Sequence, residues 1–385
     1  YPSVSTMRCC GIFKPPDARC YDTEKSASFR QALECFNWRY LSMSVQNKFI
    51  KFHDKIKLGR EDEAYREARA KDNSILDELK TEFKNAGYPI IETFIQGSLS
   101  MYTGIKHPEA DFDIDRAVVI DADSAPDDPV EVKKLVLKVL EKRGFKNAKI
   151  KKPCVTADYM NLNLHIDIVI YRKRDERYEL AVGKLNSNAE NRVWSPSEPK
   201  KLIQHVNDSS QYIGSADLKI RQVKRLVRYV KRWRDEKFGQ NVGKKVFSIG
   251  LTLMLKDKFC PSISDDGKVS DLQSLRDTVS AILNANYFQW VEDAKYKVNV
   301  RLPVQPYRNV FENSSIDTGT QLYNKLNAML TKLDQALNED SLRKQCEILQ
   351  GLFGGDFEVP DKEQDSNAKK VAYSSAGVGG TSQGA

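Results

Sequence analysis

Asp113 and Asp115 stand two apart in the run 112–120, whose apolar content and β-branched residues read as a strand. Strand side chains alternate faces, so both carboxylates point one way and Ile114 points toward the core. The run 162–171 repeats the design: Leu164, Ile166, Ile168 and Ile170 alternate with His165 and Asp167. One face is apolar and the other carries a carboxylate in mid-strand. Carboxylates crowded on one face repel each other and lose hydration, so something must neutralise them. A hard divalent cation does so, and Mg²⁺ favours a few carboxylates plus substrate phosphates over an all-protein cage. Taken alone, Asp113 and Asp115 also fit a solvated strand face, as does Asp111 in the same row. Asp167, set in so apolar a strand, weighs against that simpler reading.

A second feature weighs the same way. Gln96, Gly97 and Ser98 follow a short strand at 90–95 and precede about a turn of helix. Glycine lets backbone approach a phosphate closely, free amides at a helix start favour an anion, and a serine hydroxyl adds a donor. A Gly-Ser pair by itself is an ordinary turn. Followed by two acids on the next strand and a third on a later one, it becomes a phosphate cradle beside a cation site.

The elements that must hold these residues fall into two kinds. A charged helix over 61–86 has Ile75, Leu76, Leu79 and Phe83 on one stripe and stops at Gly87. A second amphipathic helix covers 131–143. From about 197 the pattern turns helical, at 197–206, 216–237, 246–259, 271–286 and 319–350. The expected fold class is therefore α+β: a core of strands and helices first, then a mostly helical lobe. The domain reading is an extension over 1–42, a core over 43–195, a helical lobe over 196–357 and a flexible tail over 358–385. The extension lacks any sustained period, and the tail is rich in Gly and Ser with little to bury.

Composition narrows the function classes. The 385 residues carry 61 Lys+Arg against 53 Asp+Glu, a net charge of +8. The chain is too apolar for a disordered protein and has no apolar run long enough for a transmembrane helix. Seven Cys without a C-x-x-C pair, and four His without ligand spacing, argue against a disulfide scaffold or zinc site. Free thiols in a reducing cytoplasm are the expectation. Residues 219–237 hold nine Lys/Arg against two acids, and as a helix they place Lys224, Arg228 and Lys231 on one face. Such a run is either a solvated basic helix or a phosphate-facing one.

The order Gly-Ser, Asp-x-Asp, distal Asp resembles the nucleotidyltransferase superfamily of DNA polymerase beta, poly(A) polymerase and the oligoadenylate synthases. The match sharpens toward the bacterial cGAS/DncV-like nucleotidyltransferases (CD-NTases). It rests on Gln96, Gly97, Ser98 and Thr103, on Asp113 and Asp115 leading into 118–120, and on 165–171. It continues through 194–199, 229–235 with Lys231 and Trp233, 247–249 with Ser248, and 303–309, so it covers about 90–310. The resemblance implies a bilobal form, with a polymerase-beta-like core of mixed sheet and helices and an oligoadenylate-synthase-like helical lobe. It implies two Mg²⁺ ions, replaceable by Mn²⁺, held by Asp113, Asp115 and Asp167, with Asp115 bridging both and Asp167 a ligand or base. It implies that Gln96, Gly97, Ser98, Lys231 and Ser248 bind nucleotide.

The activity implied is synthesis of a cyclic di- or trinucleotide messenger from NTPs, ATP among them, with release of pyrophosphate. The setting is anti-phage (CBASS) signalling through a downstream effector. The tail ending in Gly384 and Ala385 resembles those that E1/E2-like partners conjugate. No Cys/His cluster matches the zinc insertion of animal relatives, and nucleic-acid activation has no support beyond the basic helix. Two other readings stay open: a linear or tailing nucleotidyltransferase acting on RNA or a small acceptor, and a non-catalytic nucleotide- or RNA-binding module. Met101 and Tyr102 are candidates for base contact or core; Trp194, Trp233 and His165 read as packing residues.

Overall fold

The computed structural model describes residues 44–106, 112–159 and 164–361. The expected extension over 1–42, Asp111, and the tail from 362 with its expected conjugation site lie outside the described residues.

Strands β2 (Phe112–Asp121) and β5 (Leu164–Arg174) pair in parallel and form the centre of a seven-stranded mixed sheet. Strand β1 (Ile90–Gln96) pairs antiparallel with β2 on one side. On the other side β5 changes neighbours along its length. Its first half pairs with β4 (Val155–Tyr159) and its second half with β6 (Arg177–Val182). Strand β3 (Lys149–Ile150) extends β4, and β7 (Val193–Ser197) extends β6. The alternation read in the sequence explains the burial. Ile114, Leu164, Ile166 and Ile168 are buried, while Asp113, His165 and Asp167 between them keep contact with solvent.

The buried face of the sheet packs against α2 (Glu63–Asn85) and α4 (Pro129–Lys142). Helix α2 contributes the expected stripe of Ile75, Leu76, Leu79 and Phe83, all buried. Helix α4 starts on Pro129 with Asp128 capping the Val130 amide, the pairing favoured at helix starts. Between β1 and β2, Gly97–Ser100 makes one helical turn, α3. Helix α2 is tied to the sheet by a buried ion pair between Arg116 of β2 and Asp72, which is fully buried. Removing one member of such a pair strands the other charge. Asp72→Ala should cost about 3–5 kcal/mol, read as a lower urea midpoint at unchanged slope.

The later chain is helical: α5 (Pro199–Asn207), α6 (Ala216–Lys237), α7 (Gln240–Gly243), α8 (Ser248–Asp257), α9 (Asp271–Leu283), α10 (Ile316–Leu337) and α11 (Leu342–Phe353). A hairpin of β8 (Phe288–Trp290) and β9 (Tyr296–Val298) interrupts it. Leu226, Val230 and Trp233 of α6 share a core with Leu251, Leu275, Leu326 and Leu349. The first helix, α1 (Val45–Ile56), joins this core rather than the sheet's, through Phe49 and Phe52.

Three expectations need correction. The helix expected over 319–350 is two helices, because Asn338 ends α10 and Ser341 caps α11 by accepting the Lys344 amide. The boundary expected near 195 falls inside β7, whose Ser195 pairs with Leu180 of β6. The packed chain also runs past 357: Pro360 is buried and its carbonyl accepts from Arg343 Nη1 at 2.6 Å. No described helix is long and apolar enough to cross a membrane. Among the described residues the thiols Cys154, Cys260 and Cys346 are free.

Candidate active site

A cavity of about 650 Å³ opens between the polar end of the sheet and the helical part. Seven of the eight sequence-predicted site residues line it: Gln96, Gly97, Ser98, Asp113, Asp115, Lys231 and Ser248. The eighth, Asp167, sits beside them, since β5 places it directly across from Asp115. Gln96 flanks Asp115 on the opposite side, through the β1–β2 pairing. Three strands thus bring to one row what the sequence keeps about seventy residues apart.

Gly97 shows how closely the turn and the acids fit. Its φ is +66°, and a Cβ built there would lie 2.0 Å from Asp115 Oδ2. Only glycine admits both the backbone conformation and the carboxylate. Beyond the turn, the Thr103 amide returns to the Ser98 carbonyl at 2.9 Å. The Gln96 side chain is fixed by the buried Tyr171, whose hydroxyl donates to Oε1 at 3.0 Å.

The electrostatics carry the mark of crowded acids. Asp115 lines the cavity and is only partly exposed. Burial first, then the Asp113 and Asp167 carboxylates, push its carboxyl up to about 7, against the pull of Lys151 and Lys231. Asp167 Oδ1 is buried and accepts no hydrogen bond from a described residue; Lys151 Nζ stands 3.6 Å away. Among the described residues no three acidic, His or Cys groups already form a cage for an ion. A buried carboxylate oxygen without a donor, beside another that resists ionising, fits cations arriving with a phosphate-bearing substrate.

The opposite wall belongs to α6 and the start of α8. Lys231 is buried, and its ammonium donates to the Thr103 carbonyl at 2.9 Å. Burial, then repulsion from Arg234 and Arg228, lowers it to about 7. Ser248 Oγ accepts from Arg234 Nη1 at 2.6 Å, which leaves its own proton free to donate. Arg234 lines the cavity and is held by Asp235. It was not singled out from sequence, although it stands three residues after Lys231, on the same helix face.

The basic helix is not the broad phosphate-facing surface that its charge suggests. Of its nine cations over 219–237, only Lys231 and Arg234 line the cavity. Arg225 pairs with the buried Asp271, Lys224 donates to Asn207, and Arg228 and Arg232 bond backbone carbonyls. Met101 lines the cavity, whereas Tyr102 does not, and the Arg60 and Lys224 cations lie over its ring. Trp233 is buried, the Trp194 indole donates to the Pro126 carbonyl, and the His165 ring pairs with Asp158.

Residues 43–209 match the family described as the Second Messenger Oligonucleotide or Dinucleotide Synthetase (SMODS) domain. That stretch is less than half of the chain and holds Gly97, Ser98, Asp113, Asp115 and Asp167. It is 27% identical over 243 residues, 59% of its own length, to the cyclic GMP-AMP synthase of Escherichia albertii. The match spans about half of that relative, 52%. The fold is shared with solved structures. E. coli MS115-1 CdnC with ATP superposes at TM-score 0.58 and 17% identity, over 81% of this chain and 98% of that one. The DncV cyclic AMP-GMP synthase of Vibrio cholerae superposes at 0.53 and 18% identity, over 89% and 93%. The stretch that matches the SMODS family contributes the turn and the acids; Lys231, Arg234 and Ser248 come from the helices beyond it.

Proposed function

We propose that this chain is an Mg²⁺-dependent nucleotidyltransferase that makes a cyclic di- or trinucleotide messenger from NTPs, with release of pyrophosphate. The setting we propose is bacterial anti-phage (CBASS) signalling. The observation that carries the reading is the single cavity in which Gly97, Ser98, Asp113 and Asp115 face Lys231 and Ser248. One wall is acidic and suits cations; the other offers an ammonium and a hydroxyl to a triphosphate.

Asp113, Asp115 and Asp167 would hold the cations, with Asp115, between the other two acids, best placed to share them. Bound there, divalent ions would neutralise the triphosphate and make the attacking ribose hydroxyl more acidic. The protein's own residues do the rest by placement. Gly97 and Ser98 admit the phosphates against backbone. Ser248, aimed by Arg234, donates from the other side, and Lys231 adds positive charge. Asp167, whose buried Oδ1 has Lys151 Nζ 3.6 Å away and no hydrogen-bond donor, would receive the proton of the attacking hydroxyl. Catalysis is then mostly orientation and charge neutralisation. The product would reach an effector, as expected for a diffusible messenger.

The test is an assay with four labelled NTPs and Mg²⁺ and no added nucleic acid. A phosphatase-resistant product is expected, and mass spectrometry with linkage-specific nucleases would identify it. Incorporation only into added RNA would replace this reading with the tailing one.

A further inference from the structure

Three basic side chains of α6 converge on one short stretch. Arg228 donates Nε to the Gly104 carbonyl at 3.1 Å and Nη2 to the Tyr102 carbonyl at 2.6 Å. Lys231 donates to the Thr103 carbonyl at 2.9 Å, and Arg232 Nη2 to that of Lys106. All three are buried. The stretch they hold is the continuation of the Gly97–Ser100 turn, and its Met101, Thr103 and Ile105 line the cavity.

Arg232 has a second partner. Its Nη1 donates to Asp356, in the segment after α11, and no residue of 354–360 lines the cavity. That segment is itself fixed. Gly354, with φ at +81°, lies against Glu236. Phe357 is fully buried against Phe49 and Phe52, and its carbonyl accepts from Gln350 Nε2 at 3.0 Å. A guanidinium is a rigid fork, so fixing one arm on a carboxylate aims the other.

We propose that Asp356 is a positioning residue for the phosphate turn. It sets the Arg232 fork so that the second arm pins the Lys106 carbonyl and completes the clamp on 102–106. A residue more than 250 positions from Ser98, outside the cavity, thereby governs how firmly the turn is held. The assignment rests on reading the cavity as a nucleotidyl-transfer site, but its test does not need turnover.

The variant is Asp356→Asn in the full chain, which keeps shape and an acceptor but loses the charge. Hydrogen exchange of 101–106 should quicken about tenfold, and ATP should bind about tenfold more weakly, while exchange in α10 stays unchanged. Arg232→Lys, which cannot span both partners, should do the same and serves if Asp356→Asn fails to fold. Lys55→Gln, which removes the solvent-side partner 3.3 Å from Asp356, should leave both readouts as they are. Unchanged exchange in 101–106 would overturn the proposal. So would an equal rise in α10, which would mark general loosening. If the parent protein bound ATP but formed no cyclic product, the functional reading would fail while the exchange result would still decide this one.

Discussion

Asp115→Asn is expected to abolish product formation while making the metal-free protein harder to melt. The loss of activity should reach at least about a thousandfold, since this carboxylate lies between the other two acids and is best placed to share the cations. The stability gain follows from the same position. Unfolded, the carboxyl ionises near its ordinary 3.8; folded and without metal, near 7. Between those values the folded state holds a proton that the unfolded state has released. Stability therefore falls as pH rises through that window and stays low above it. Asparagine carries no such penalty. At pH 8 in a chelator the variant should be more stable by about 2 kcal/mol, a melting temperature about 4 °C higher. Below pH 4 the two proteins should converge. Added Mg²⁺ should raise the melting temperature of the parent and not of the variant. A variant that remained active, or melted earlier at pH 8 without metal, would contradict this account.

Gly97→Ala is expected to be the most damaging change of a single methyl group. The new Cβ would overlap Asp115 Oδ2 at 2.0 Å, in a backbone conformation with φ at +66° that costs alanine in its own right. Carboxylate and turn must both move, and under the proposed function these are the two parts of the site that would meet the reacting phosphate. The expected loss is about 100-fold in kcat/KM together with about 2–4 kcal/mol of stability. Steady-state kinetics and urea denaturation read the two separately. Gly144→Ala is the control. It also has positive φ, but nothing lies within 4 Å of its Cβ, so stability should fall modestly and kinetics not at all.

The acids were legible because strand alternation is a strict rule. Ile114 between Asp113 and Asp115, and Ile166 and Ile168 around Asp167, announce which face is wet before any pairing is known. What alternation cannot give is the partner strand, so the juxtaposition of Asp115 and Asp167 emerged only with the β2–β5 register. Strands β6 and β7 escaped notice because Arg177–Val182 and Val193–Ser197 are only six and five residues long, and Pro196 reads as a linker. The charge of α6 was visible, but not its use. A count of Lys and Arg cannot distinguish a cation facing a ligand from one spent on the carbonyls of Tyr102, Gly104 or Lys106. Arg234 was hidden by the same ambiguity. The place of α1 was hidden too, since Phe49 and Phe52 make an apolar stripe that would serve either core.

Under the proposed function, one triphosphate is gripped between the acidic row of the sheet and the start of α8. The direct measurement is a crystal structure with Mn²⁺ and a non-hydrolysable ATP analogue, using the metal's anomalous signal. Manganese should appear at Asp113, Asp115 and Asp167, with the triphosphate reaching from Ser98 to Ser248 and Lys231. Nucleotide bound outside this cavity, or inside it with no metal on Asp115, would contradict the account.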